Sequence, residues 1–249
     1  MLQVLTSIPV KRSFPCTQQD FRKAAIWFPV VGLLVGLLSF GMYKLGAWVL
    51  GSWCGAVFSS LFLVFITGAL HNDGLADCFD AFFCSRSKEE MLAILKDSRI
   101  GTYGALALIF DILLRVLFVA LLPQTFAWFI IVVPVLGRSS IALVCSFGKP
   151  AKKDGSGALF IGNVTAGIAV FCVLATLAAF GATGFFIGGV VAMLWSLSCV
   201  LIGFIGSLGF YRLCVKKIGG LTGDCLGGCC EIGELTTLFA LVIIINRII

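Results

Sequence analysis

Three of the twelve carboxylates in this chain lie close together in His71-Asn72-Asp73-Gly74-Leu75-Ala76-Asp77-Cys78-Phe79-Asp80, directly after an apolar run that ends at Leu70. At about 100° per residue, positions 73, 77 and 80 share a helix face roughly 60° wide. Like charges on one face repel each other unless a cation stands between them. Carboxylates with open positions suit Mg²⁺ or Mn²⁺, and Mg²⁺ usually completes its shell with substrate phosphates. Asp73, Asp77 and Asp80 are therefore candidate metal ligands. The alternative is a solvated acidic helix end, but the flanking Gly, Ala, Phe and Cys are not what a solvated face carries.

A second polar cluster, Gly219-Gly220-Leu221-Thr222-Gly223-Asp224, continues into Cys225-Leu226-Gly227-Gly228-Cys229-Cys230-Glu231-Ile232-Gly233-Glu234. Asp224 and Glu231 are seven apart and share a helix face. Asp224 brought against the first three aspartates would complete a metal site. Five acids at one membrane face without metal would be expensive, since an Asp within a span costs roughly 2.5–3.5 kcal/mol. The glycines leave N–H groups accessible where a helix begins, so Gly223 is a candidate phosphate contact. The competing reading is acids that merely complement the helix dipole. Arg99 can fork onto two phosphate oxygens, with Ser98 and Thr102 adding hydroxyls, or it can snorkel at the membrane edge. Arg138, followed by Ser139 and Ser140, is a similar phosphate candidate. Asp111 and Arg115, four apart in mid-span, read as a structural ion pair. His71 is either a base or a hydrogen-bond partner of the acids.

The elements that position these residues follow from composition. Hydrophobic residues make up 60% of 249 positions and charged residues 12%, against roughly a quarter charged in soluble domains. The expectation is an all-α, polytopic helical membrane bundle forming a single integral-membrane catalytic domain over 1–249. Apolar stretches at 25–43, 53–70, 101–122, 125–147, 164–180, 185–210 and 226–245 predict about seven transmembrane helices. With the amino terminus inside, fourteen Lys and Arg fall on the inner side, Lys11, Arg12 and Lys153 among them. Only Lys44 and Arg247 fall outside. This asymmetry places both acidic clusters in the cytoplasm. The stretch 88–96 predicts a short amphipathic helix with Met91, Leu92 and Leu95 on one face. Gly32–Gly36, Gly184–Gly188 and Gly223–Gly227 are spaced for close helix packing. Eleven cysteines without metal-ligand spacing are expected to be free packing residues. The first ten residues, interrupted by Pro9, are too short for a secretory signal.

Acids that hold metal, metal that neutralises a diphosphate and arginines that fix its oxygens together describe phosphoryl-group chemistry. The stretches HNDGLADCFDAFFCSRSKEEMLAILKDSRIGTYG and GGLTGDCLGGCCEIGEL, with LTSIPV near the start and Arg138-Ser139, resemble the cobalamin-5′-phosphate synthase family over nearly the whole chain. Asn72 and the cysteine-rich start of the last span depart from that family's pattern without removing a carboxylate. The resemblance implies an inner-membrane enzyme that joins adenosylcobinamide-GDP to α-ribazole or its 5′-phosphate. GMP would be released, with Mg²⁺ as cofactor. Its partners are then these small molecules and membrane lipid, without nucleic acid, and a homo-oligomer is possible. Asp73-Gly74-Leu75-Ala76-Asp77-Cys78-Phe79-Asp80 is also similar to the CDP-alcohol phosphotransferase motif, but lacks its Arg after the Ala. A phospholipid synthase of that kind, or a vitamin or ion transporter working through Asp111 and Arg115, are the competing functions. Asp80, farthest along the helix from the bilayer run, is the expected base, with His71 as its rival.

Overall fold

A computed structural model of the chain describes residues 1–9, 18–84, 86–152 and 156–248. Lys11, Arg12 and Lys153, which entered the charge asymmetry, lie outside the described residues. The elements are α1 (Leu2–Leu5), α2 (Gln18–Ala24), α3 (Phe28–Leu50), α4 (Ser52–Ile66), α5 (Leu70–Phe82), α6 (Lys88–Ile94), α7 (Thr102–Leu121), α8 (Phe129–Phe147), α9 (Ala166–Ile218) and α10 (Gly223–Ile248). Among the described residues the sole β feature is one isolated bridge, between Pro150 and Leu221.

Apolar composition makes these helices long, and small residues let them touch. α8 is buried along nearly its whole length and forms the centre of the bundle. α3 lies directly on it. A Cβ added at Gly32 would stand 2.5 Å from the Pro134 carbonyl oxygen, so the Gly32–Gly36 spacing does serve close packing. Large apolar side chains cover the outside: Phe186 is 86% and Trp48 83% exposed. Water would not tolerate such a surface, but lipid does.

Among the described residues five helices are long and apolar enough to cross a membrane, or six if α4 and α5 are taken as one broken span. α9 has 53 residues, about 80 Å of helix, far beyond the roughly 30 Å hydrocarbon core. Gly188 and Gly189 leave the helical region there, Gly189 at φ 67°. The chain turns back on itself, so that Ser196 Oγ donates to the Phe180 carbonyl at 2.9 Å. Counting its two limbs separately brings the crossings to the expected seven or so.

The sequence reads 53–70 as one span, but the chain bends by 86° between α4 and α5. Gly68 (φ 62°) and Ala69 (φ 56°) both adopt left-handed backbone at the break. The acidic motif therefore starts a separate helix, which runs antiparallel along α7. Asn72 reaches Asp111 at one end, and Asp80 reaches Gly101 and Gly104 at the other. α6 is the short helix expected near 88–96. Ser87 and Glu90 close a capping box at its start, and Met91 and Leu95 are buried. Two apolar clusters make the core. On α8 and α10 they are separated by Arg138 and by Glu231 and Glu234.

Candidate functional site

The acidic helix α5 meets the start of α10 at a crossing that only glycine permits. A Cβ at Gly74 would stand 2.7 Å from the Asp224 carbonyl oxygen and 2.9 Å from its Cα. On the other side of the crossing, a Cβ at Gly227 would stand 2.9 Å from the His71 carbonyl oxygen. Asp224 is thereby pressed against the helix that carries Asp73 and Asp77. Asp73, Asp224 and Asp80 all act on Asp77 as repelling neighbours. Asp73 is exposed, and Asp77 and Asp224 are half-buried. Thr222 Oγ1 donates to Asp224 at 3.0 Å.

Asp80 is differently placed. The N–H of Gly101 donates to Oδ2 at 2.7 Å and that of Gly104 to Oδ1 at 2.8 Å. Both of its oxygens thus cap the first turn of α7, where orphan N–H groups and the helix dipole favour an anion. A side chain at Gly101 would strike this carboxylate. The expectation that Asp80 is both base and metal ligand meets a carboxylate already tied to main chain. Asp73 and Asp224 remain as hard oxygen donors on either side of Asp77, near enough to act on its charge. Among the described residues no three His, Cys, Asp or Glu side chains close on one point as a finished metal cage. Mg²⁺ is commonly held by one or two carboxylates with phosphates and water supplying the rest, so this donor set fits a magnesium ion that shares its shell with substrate.

Basic residues rim this end of the bundle. Lys217 donates to the Phe82 carbonyl at 2.6 Å, Arg86 to the Asp80 carbonyl at 3.3 Å, and Lys152 to the Leu92 carbonyl at 2.8 Å. Ser98 and Arg99 are exposed on the segment leading to Gly101. The Arg99 guanidinium lies on Asp97, with Nε 3.0 Å from each carboxylate oxygen, and holds that carboxyl below its usual range. Gly223 lies half-buried at the start of α10.

Arg138 and Glu231, expected at this site, belong to a buried network instead, and His71 is buried beside it. Arg138 is 1% exposed and pairs with Glu234. Arg115 pairs with Glu231 and, at 2.8 Å, with Glu234. Asp111 stands 3.9 Å from Arg115 and accepts a 2.7 Å hydrogen bond from Asn72. The expected Asp111–Arg115 pair exists, but the glutamates are the nearer partners. Glu231 belongs to this buried network and not to the Asp224 face. His71 is 2% exposed, and the charges acting on it are Arg138 and Arg115 in place of the aspartates. Arg138 and His71 are both buried, and Arg138 is occupied by Glu234, so neither side chain is exposed beside the aspartates. The signal for the network was present in the sequence: charges within spans need opposite charges within spans. The described cysteines are all free.

The model of the cobalamin-5-phosphate synthase family matches residues 1–242. A Clostridium botulinum (strain Okra / Type B1) protein named adenosylcobinamide-GDP ribazoletransferase is 41% identical, over 98% of this chain and 96% of the relative. Proteins of the same name from Clostridium tetani and Clostridium kluyveri are each 38% identical. They cover 97% and 99% of this chain and 94% and 96% of their own lengths. No solved structure matches the chain.

Proposed function

The chain belongs to the cobalamin-5-phosphate synthase family, and from that premise we propose that it transfers the cobinamide phosphoryl group of adenosylcobinamide-GDP to a ribose hydroxyl of α-ribazole or α-ribazole 5′-phosphate. The hydroxyl oxygen forms a bond to the phosphorus bearing the cobinamide arm. The bridging P–O bond breaks, GMP leaves with its electron pair, and the hydroxyl proton passes to a carboxylate. The crossing of α5 and α10 at Gly74 is the observation that carries this reading, because it gathers Asp224 with Asp73 and Asp77.

Asp77 with Asp73 or Asp224 would hold Mg²⁺, which would supply the positive charge a diphosphate needs to approach these carboxylates. Asp77, repelled by Asp73, Asp224 and Asp80, would take the proton. Asp80 positions the start of α7 and with it Ser98 and Arg99, whose fork is exposed and can exchange Asp97 for phosphate oxygens. The lysines at this end of the bundle support an inner-membrane protein with the acids facing the cytoplasm. An impermeant maleimide should label a Lys88→Cys variant above background only in inside-out vesicles; labelling in intact cells refutes that orientation.

Purified protein in lipid nanodiscs, given adenosylcobinamide-GDP, the ribazole acceptor and Mg²⁺, should release GMP. Asp77→Asn should lower the rate on the order of a hundredfold or more. Absence of GMP release from the unaltered protein overturns the activity, and full activity of Asp77→Asn overturns the site.

A further inference from the structure

The transfer chemistry leaves one feature beside the acids unused. A cavity of ≈ 220 Å³ opens between the end of α6, the loop after α8 and the start of α10. Lys96, Lys152, Gly157, Thr222, Gly223 and Asp224 are among the residues lining it. The loop is not free to carry Lys152 away. Leu221 N–H donates to the Lys149 carbonyl and Ala151 N–H to the Leu221 carbonyl, both at 2.8 Å. Lys152 spends one proton on the Leu92 carbonyl, and an ammonium has three. Burial, and then the neighbouring Lys96, hold the Lys152 ammonium below the usual lysine range. Two cations set against each other at one cavity are poorly arranged unless an anion joins them. Asp224 attracts Lys152 from the same cavity, but one carboxylate balances only one of the two cations, and it also accepts from Thr222.

We propose that this cavity takes the terminal phosphomonoester of the incoming acceptor, and that Lys96 and Lys152 select the phosphorylated acceptor over the unphosphorylated one. The inference rests on the activity proposed above. Charge favours the monoester over the other phosphates of the reaction. A phosphomonoester carries about −1.5 to −2 near neutral pH, which two point-charge lysines balance without a metal. The diphosphate, by contrast, is brought to the aspartates by its metal. Asp224 lines the cavity and repels Asp77, so an acceptor anchored there by its phosphate lies beside the reacting phosphorus.

The test compares α-ribazole 5′-phosphate with α-ribazole as acceptors for the unaltered protein, Lys96→Met and Lys152→Met. Each substitution should lower kcat/KM at least tenfold further for the phosphorylated acceptor than for the other, chiefly through KM. Lys96 is exposed, so its replacement does not threaten folding, and Lys96→Arg should keep most of the preference. Equal losses on both acceptors, or no loss on either, overturn the proposal. Equilibrium binding of the two acceptors, measured without the GDP-linked donor, separates this inference from the activity. Tighter binding of the phosphorylated form that Lys96→Met abolishes sustains the cavity assignment even where no GMP is released. Equal binding of both forms overturns it even where GMP is released.

Discussion

Gly74→Ala is the most direct test of the α5–α10 crossing. The new Cβ would lie 2.7 Å from the Asp224 carbonyl oxygen and 2.9 and 3.1 Å from its Cα and carbonyl carbon, all main-chain atoms. A methyl in ordinary contact sits at about 3.4 Å or more, so the two helices must part by roughly 0.7 Å. Overpacking of this kind costs about 1–3 kcal/mol in stability. Misplacement of reacting groups by 1 Å can cost on the order of a hundredfold in rate, so kcat should fall by about ten- to a hundredfold while much of the protein still folds. Gly41→Ala is the matched control, because nothing lies within 4 Å of a Cβ there, and alanine within a helix is worth about 0.5–1 kcal/mol over glycine. The assay is GMP release per folded protein, with the folded fraction read from size-exclusion profiles and thermal unfolding in detergent. A Gly74→Ala protein that unfolds at the normal temperature and turns over at the normal rate would refute the argument that this contact sets the geometry of the acids.

Asp80→Asn leaves one acceptor for two N–H groups and turns an NH₂ toward one of them. It should lower stability by about 1.5–3 kcal/mol without raising the Mg²⁺ concentration needed for half-maximal rate, whereas Asp77→Asn should raise it; a raised Mg²⁺ requirement in Asp80→Asn would restore it as a ligand. Glu234→Gln removes the charge that both Arg115 and Arg138 use. Breaking a buried pair costs about 3–5 kcal/mol, so the variant should be recovered from membranes in much lower yield, and normal yield and unfolding temperature would count against the network. Ala69→Val places a β-branched residue at φ 56° and should destabilise by about 1–2 kcal/mol, with Ala69→Gly tolerated; equal unfolding temperatures for the two would show that the left-handed turn is not held in solution.

Much of this arrangement was legible in the residues. The spacing of Asp73 and Asp77 on one helix face, the glycines flanking Asp224 and the apolar period of Met91, Leu92 and Leu95 each point to what the structure contains. The break between α4 and α5 was not legible, because Thr67-Gly68-Ala69-Leu70 reads as apolar continuation and Ala69 is not a residue that advertises left-handed backbone. The role of Asp80 was hidden for another reason. Its partners are main-chain N–H groups, which carry no side-chain signal, and only the three-residue spacing of Gly101 and Gly104 hints that something occupies the place of their side chains. Arg138 and Glu234 lie 96 residues apart, so no local pattern joins them. Asn72, an unexpected amide in this motif, finds its reason in Asp111.

The buried network and the acidic site share their helices, and this gives the network a purpose beyond neutralising its own charges. On α5, Asn72 donates to Asp111 inside the bundle, while the next residue, Asp73, is exposed among the acids. On α10, Asp224 is at the site and Glu231, two turns later and about 10 Å along the axis, is held by Arg115. Each helix is thus fixed in rotation and height by one residue in the network and presents another among the aspartates. Membrane helices gain little from burying apolar surface against each other, since lipid is equally apolar. Directional polar contacts are then the means of setting register, the best-attested use of buried charges. Arg115, which grips Glu231, Glu234 and Asp111 from α7, joins the helix capped by Asp80 to the helix that begins at Asp224. The partial loss of activity expected in whatever Glu234→Gln protein still folds would therefore come from rotated aspartates, and it should resemble the loss in Gly74→Ala more closely than that in Asp77→Asn.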